Sequence, residues 1–156
     1  MLIERGRVTK QEAALLKAVA EPTRLALAVL LAVRGETCVC MLAEALEQPD
    51  SKISRHLAVL RAAGMVEARR EGTWMHYRLV EPRSDLERRL HECFRDSLAN
   101  LDSLKATRER LLCAVCPSEL DPAQRKATKA AARRAAGTRT AGGGGRIGAR
   151  TNPLPD

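Results

Sequence analysis

The chain is most constrained by a change of hydrophobic period at a single glycine. Before Gly64, "SKISRHLAVLRAAG" sets Ile53, Leu57, Leu60 and Ala63 on one helical stripe. After it, "MVEARREGTWMHYRLV" reads as two short strands around Glu71-Gly72, a hairpin signal, and Pro82 breaks the second strand. A helix running directly into a hairpin leaves few ways to bury both apolar faces. The helix must lie on others, and the hairpin must stand beside it.

The upstream segments supply those others. "KQEAALLKAV", residues 10–19, brings Ala14, Leu15, Ala18 and Val19 to one side of a short helix. "EPTRLALAVLLAVRG" follows, with Pro22 suited to a first helical turn and Gly35 to a stop, so a second helix is expected over about 22–33. It is apolar almost all round and should run through the core. Thr37 is a suitable cap for a third, short helix reaching Leu46. "EQPD" is a turn, and Asp50 or Ser51 can cap the fourth helix. From Ser84 to about Leu112 one long helix is expected. Leu86, Leu90, Cys93, Ser97, Leu101, Leu104, Arg108 and Leu111 lie near heptad spacing, a seam suited to a partner helix. Pro117 and Pro122 end the order, and the Ala-, Arg- and Gly-rich remainder reads as a disordered basic tail. The expected division is a domain over 1–116 and a tail over 117–156.

Helix, helix, short helix, turn, helix, hairpin is the order of a winged helix-turn-helix: mainly α, with a two-stranded wing. Charge agrees with that reading. The net charge of +8 is concentrated in two places. Residues 121–156 carry eight basic and two acidic groups, and residues 51–80 carry six and two. Both are candidate polyanion-facing surfaces. On the fourth helix, Ser51, Lys52, Ser54, Arg55 and His56 occupy the end that would enter a DNA major groove. Arg69, Arg70 and Gly72 on the hairpin suit phosphate or minor-groove contact.

Five cysteines, an odd number, argue against a disulfide framework and for core, metal-ligating or redox roles. Two stand in "ETCVCMLAEAL". Were Cys38 and Cys40 both helical, they would point about 200° apart and could not share an ion. They meet only if the first turn unwinds or is never regular. Two thiolates favour a thiophilic ion over a hard one, and a helix N-terminus favours the thiolate. Cys113 and Cys116, in "LLCAVCP", could supply a third ligand from the end of the last helix. Cys93 lies on the apolar seam and reads as core. The alternative use of these thiols is a disulfide between Cys38 or Cys40 and Cys113 or Cys116, in a redox or reactive-sulfur sensor. An enzyme is not expected: no His with an orienting acid accompanies Cys38, and no glycine-rich phosphate loop or paired-carboxylate motif is present. No cofactor is called for. No apolar run reaches 18 residues, and "MLIERGRVTKQEAA" lacks the apolar centre of a secretory signal, so a cytoplasmic protein without membrane contact is expected.

Over residues 10–112 the chain resembles the ArsR/SmtB family of metal-responsive repressors, most specifically in "SRHLAVLRAAGMVEARREG". "CVC" at the start of the third helix resembles the family's arsenic-responsive branch. The resemblance implies a homodimer packed through its first and last helices. It also implies recognition of an inverted-repeat operator in double-stranded DNA, and release by arsenite or antimonite held on Cys38 and Cys40. The arsenic pattern has a further cysteine three residues on, where this chain has Ala43. The third donor is then Cys113 or Cys116 of the same or the partner chain, or a solvent or small-thiol ligand.

Overall fold

The protein is described by a computed structural model in which residues 8–116, 120, 123–124 and 126–127 are described. The chain divides into two units, Met1–Glu119 and Leu120–Asp156. The elements below all belong to the first. The expected disordered tail lies, those five residues apart, outside the described residues.

Helix α1, Lys10–Val19, is started by a reciprocal cap. The Thr9 hydroxyl accepts from the Glu12 N–H, and the Glu12 carboxylate accepts from the Thr9 N–H. Helix α2, Pro22–Arg34, has Pro22 in its first turn and ends at Gly35, whose φ of 84° suits a residue without Cβ. Leu27, Ala28, Val29, Leu30 and Leu31 of α2 are all at most 1% exposed, so this helix is the core's axis. Next comes a two-residue strand, β1, Thr37–Cys38. Helix α3, Val39–Leu46, is closed by Glu47 in the left-handed region. Helix α4 spans Asp50–Ala62, and Ile53, Leu57 and Leu60 on its inner stripe are fully buried.

Strands β2, Val66–Glu71, and β3, Trp74–Leu79, form the hairpin, turning at Gly72 and Thr73. The sheet is antiparallel in the order β1-β3-β2. The wing therefore has a third strand that the sequence reading lacked. Thr37 is not a helix cap; it is paired with Tyr77 in that strand. A two-residue strand carries no periodicity, so nothing local announces it. Nor is α4 capped by Asp50 or Ser51: its cap is Pro49, and Asp50 is the first helical residue.

The expected long helix is also corrected. Helix α5 ends at Asp85–Glu92, a π-helical turn occupies Cys93–Ser97 and a 3₁₀ turn Leu98–Asn100, and helix α6 begins afresh at Asp102–Cys113. Leu101 between them is extended, with φ −62° and ψ 133°. An unbroken helix over that stretch would be roughly 42 Å long and would leave a domain of this size. The break folds α6 back onto α3, burying Phe94, Ala99 and Leu111, while Cys93, Ser97 and Leu101 of the expected seam are exposed. Cys93 is therefore no core residue in the protomer. Asn100 assists the break by donating its Nδ2–H to the Asp96 carbonyl at 2.7 Å, and Arg108 donates to the Ala99 carbonyl at 3.0 Å.

Candidate nucleic-acid interface and thiol pair

Helix α4 packs on α2, and α3 packs on α4 and is joined to it by a short turn, which makes the helix-turn-helix. Burying Ile53, Leu57 and Leu60 fixes the rotation of α4 about its axis. That rotation leaves Ser51, Lys52 and Arg55 exposed on its first turns, with Ser54 half-buried. His56 differs from these. Its Nδ1 lies 3.4 Å from the Glu21 carboxylate, which also accepts the Arg24 N–H at the start of α2. The imidazole thus braces α4 against α2.

On the wing, Arg69 is engaged by two carboxylates. It donates Nε–H and Nη2–H to Glu36 Oε1 at 3.0 and 2.6 Å, and its Nη1 lies 2.9 Å from Glu71 Oε2. Arg69 in turn holds the Glu36 carboxyl below its ordinary pKa. Arg70 donates to the Gly72 carbonyl at 3.0 Å across the hairpin tip. Gly72, with φ 59° and open space where a Cβ would stand, is required by the turn rather than by a close neighbour. The outward basic groups left uncommitted by carboxylates are therefore concentrated on α4.

The thiols come together through an irregular first turn. Cys38 is the N-cap of α3 and has extended backbone, φ −67° and ψ 145°, because it is still paired with His76 of β3. Cys40 is one residue inside the helix. The break in regularity swings Cys38 back, and the two thiols hydrogen-bond to one another. That contact lowers the Cys38 pKa to about 6, helped by backbone N–H groups of the helix start and by His76. The same contact, together with burial, pushes the Cys40 thiol up. The pair is thus a buried thiolate accepting from a neutral thiol.

His76 stands on β3 of the hairpin. It is buried, 6% exposed, with Nε2 lying 3.9 Å from Glu71 Oε2. Glu36 and Glu21 were missed as parts of this region, since each is recognised through a partner distant in sequence.

Cys113 is exposed at the end of α6 and Cys116 is buried. Among the described residues, no group of three or more His, Cys, Asp or Glu side chains stands close enough to hold a metal ion. The resident geometry supplies two sulfurs, and a three-sulfur ligand requires movement.

Residues 21–68 match the family described as bacterial regulatory proteins of the arsR family. Over 65 residues the chain is 52% identical to the arsenical resistance operon repressor of Escherichia coli K12, covering 42% of this chain and 56% of that protein. It is 45% identical over 74 residues to an HTH-type transcriptional regulator of Methanocaldococcus jannaschii, covering 47% of this chain and 83% of that one. An arsenic resistance transcriptional regulator of Pseudomonas putida is 52% identical over 63 residues, covering 40% of this chain and 49% of that one. The chain thus spans about half the length of the two arsenic-resistance relatives.

Proposed function

The chain belongs to the arsR family of bacterial regulatory proteins, and from that premise we propose that it is a DNA-binding repressor released from its operator by trivalent arsenic or antimony. The single observation carrying the inducer class is the contact between Cys38 and Cys40 at the start of α3. A thiolate beside a neutral thiol is a soft, partly deprotonated donor pair, matched to a thiophilic ion rather than to a hard cation. The relatives matched are named as regulators and repressors, two of them for arsenic, and the chain is read with them as a non-enzymatic protein.

The DNA-contacting side chains are Ser51, Lys52, Ser54 and Arg55 on α4, with Arg70 and the Gly72 tip at the backbone. Arg69 and His56 support them by fixing the wing and α4. A homodimer joined through its terminal helices would present two copies of α4 to an inverted repeat. Among the described residues, no helix is long and apolar enough to cross a membrane.

Signalling follows from position. Helix α3 lies against α4, and Cys38 belongs at once to α3 and to the wing sheet. A ligand that redirects the Cys38 and Cys40 sulfurs disturbs the turn, and with it α4 and the wing. Ligand and DNA then favour different states of one element.

The test is release of a labelled operator by arsenite under reducing conditions. The wild-type complex should dissociate. Cys38→Ser should bind operator within a few-fold of wild type, yet stay bound when arsenite is added. Release of the Cys38→Ser complex would refute thiol sensing. A second reading, a redox or reactive-sulfur sensor, is favoured by one observation: buried Cys116 lies near enough to affect Cys40 electrostatically. It requires release by an oxidant and none by arsenite in reductant.

A further inference from the structure

The two C-terminal cysteines were equivalent in the sequence, and the fold separates them. Cys113 is the last residue of α6 and is exposed. Ala114 then turns the chain to an extended conformation, with φ −72° and ψ 139°. Helical i, i+3 spacing therefore does not hold for the pair, and Cys116 is carried inward. It is 6% exposed and belongs to the same core cluster as Cys38, Met41 and Leu42, with Cys40 against that cluster's edge.

Two arginines hold this segment down. Arg34, at the end of α2, donates to the Leu111 carbonyl and, at 2.9 Å, to the Ala114 carbonyl. Arg110 donates Nε–H and Nη2–H to the Ala45 carbonyl of α3 at 3.0 and 2.9 Å, and its Nη2 lies 3.5 Å from the Glu47 carboxylate. The orphan carbonyls at the ends of α3 and α6 are thereby satisfied by side chains that tie α6 to α3 and α2. Residues 111–116 form a strap fixed beside the thiol pair, with a buried thiol at residue 116.

We infer that Cys116 of the same chain is the third sulfur donor, and that the strap from Leu111 to Cys116 closes over Cys38 and Cys40 when the inducer binds. This rests on the thiol-sensing reading above and deepens it. Three donors are not gathered beforehand, so closure is a movement of the strap, and Ala114 and Val115 lie beyond the helix. The chemistry is ligand exchange without redox. Arsenous acid loses three hydroxyls; each As–O bond is replaced by an As–S bond, and each hydroxyl leaves as water. Cys40 and Cys116 each supply a proton, solvent supplies the third where Cys38 is already a thiolate, and arsenic stays trivalent. Burial in its own protomer makes Cys116 a donor in cis.

The experiment is arsenic X-ray absorption on the full chain loaded with arsenite in a thiol-free reductant. Wild type and Cys113→Ser should both show three sulfurs on arsenic. Cys116→Ser and Cys116→Ala should show two, with oxygen as the third neighbour, while unliganded operator binding is kept. Three sulfurs in the Cys116 variants, or a drop to two in Cys113→Ser, would overturn the assignment and leave thiol sensing standing. Wild type that takes up no arsenite would remove both. A mixture of C38S/C40S chains with C116S chains tests the same-chain claim. No three-sulfur site should form in it; one that does is supplied in trans and refutes donation in cis.

Discussion

At the residue scale, Cys38 and Cys40 have become chemically unlike although both are cysteines in one turn. The difference is the direction of a single hydrogen bond. Cys38 accepts, so its charged form is favoured; Cys40 donates, so its proton is retained. Ultraviolet thiolate absorbance of a variant with the other three cysteines changed to Ser should show a first titration near pH 6. Cys40→Ala in that background should move it up toward the ordinary thiol value of 9.0. A midpoint that stays put would mean the contact is not the cause. The sign for stability follows. The folded-state value of Cys38 lies below the unfolded one, so ionised Cys38 contributes fully above about pH 9. That contribution falls away as the pH drops toward 6. Cys40, shifted upward, works against it above pH 9.

At the element scale, the break over 93–101 and the strap at 111–116 decide how α3 is held. Arg110 is the rivet: it makes two charge-assisted hydrogen bonds to one carbonyl at the end of α3. Arg110→Ala should lower the free energy of unfolding by about 1–2 kcal/mol, because a hydrogen-bonded cation is lost and the Ala45 carbonyl loses that donor. Urea denaturation reads this directly, and an unchanged midpoint would show the contact to be incidental. The inner stripe of α4 is under the ordinary rule for cores. Leu57→Ala, at a fully buried position, should cost about 2–5 kcal/mol. A loss below 1 kcal/mol would mean α4 is not anchored by that stripe.

At the scale of the whole molecule, positive charge is abundant but much of the wing's share is neutralised. Arg69 is held by Glu36 and Glu71, and Arg78 by Glu67. Among the described residues, Lys52 and Arg55 on the first turns of α4 are exposed and carry no ion pair. Arg55→Ala should weaken operator binding by about 1–3 kcal/mol if it reaches a base edge. Lys52→Ala should weaken all DNA sequences alike and make the dependence on salt shallower. Binding titrations at several salt concentrations separate the two. Equal effects on operator and random DNA for Arg55→Ala would assign it to phosphate.

Local signals made the order of elements legible. Stripes at helical spacing placed α1, α2 and α4, Gly35 and Gly64 stopped two of the helices, and Glu71-Gly72 marked the hairpin. Each of these depends on neighbours within a few residues, so the sequence alone was enough. The same locality let the sequence name the two thiols and state the condition for their meeting. It could not say that the condition is met, because what holds Cys38 extended is His76, far along the chain in β3. Nor could it break the helix after Glu92, part Cys113 from Cys116, or tie Arg69 to Glu36. Those outcomes were decided only when the core closed, since burial and charge pairing between distant segments carry no local pattern to read.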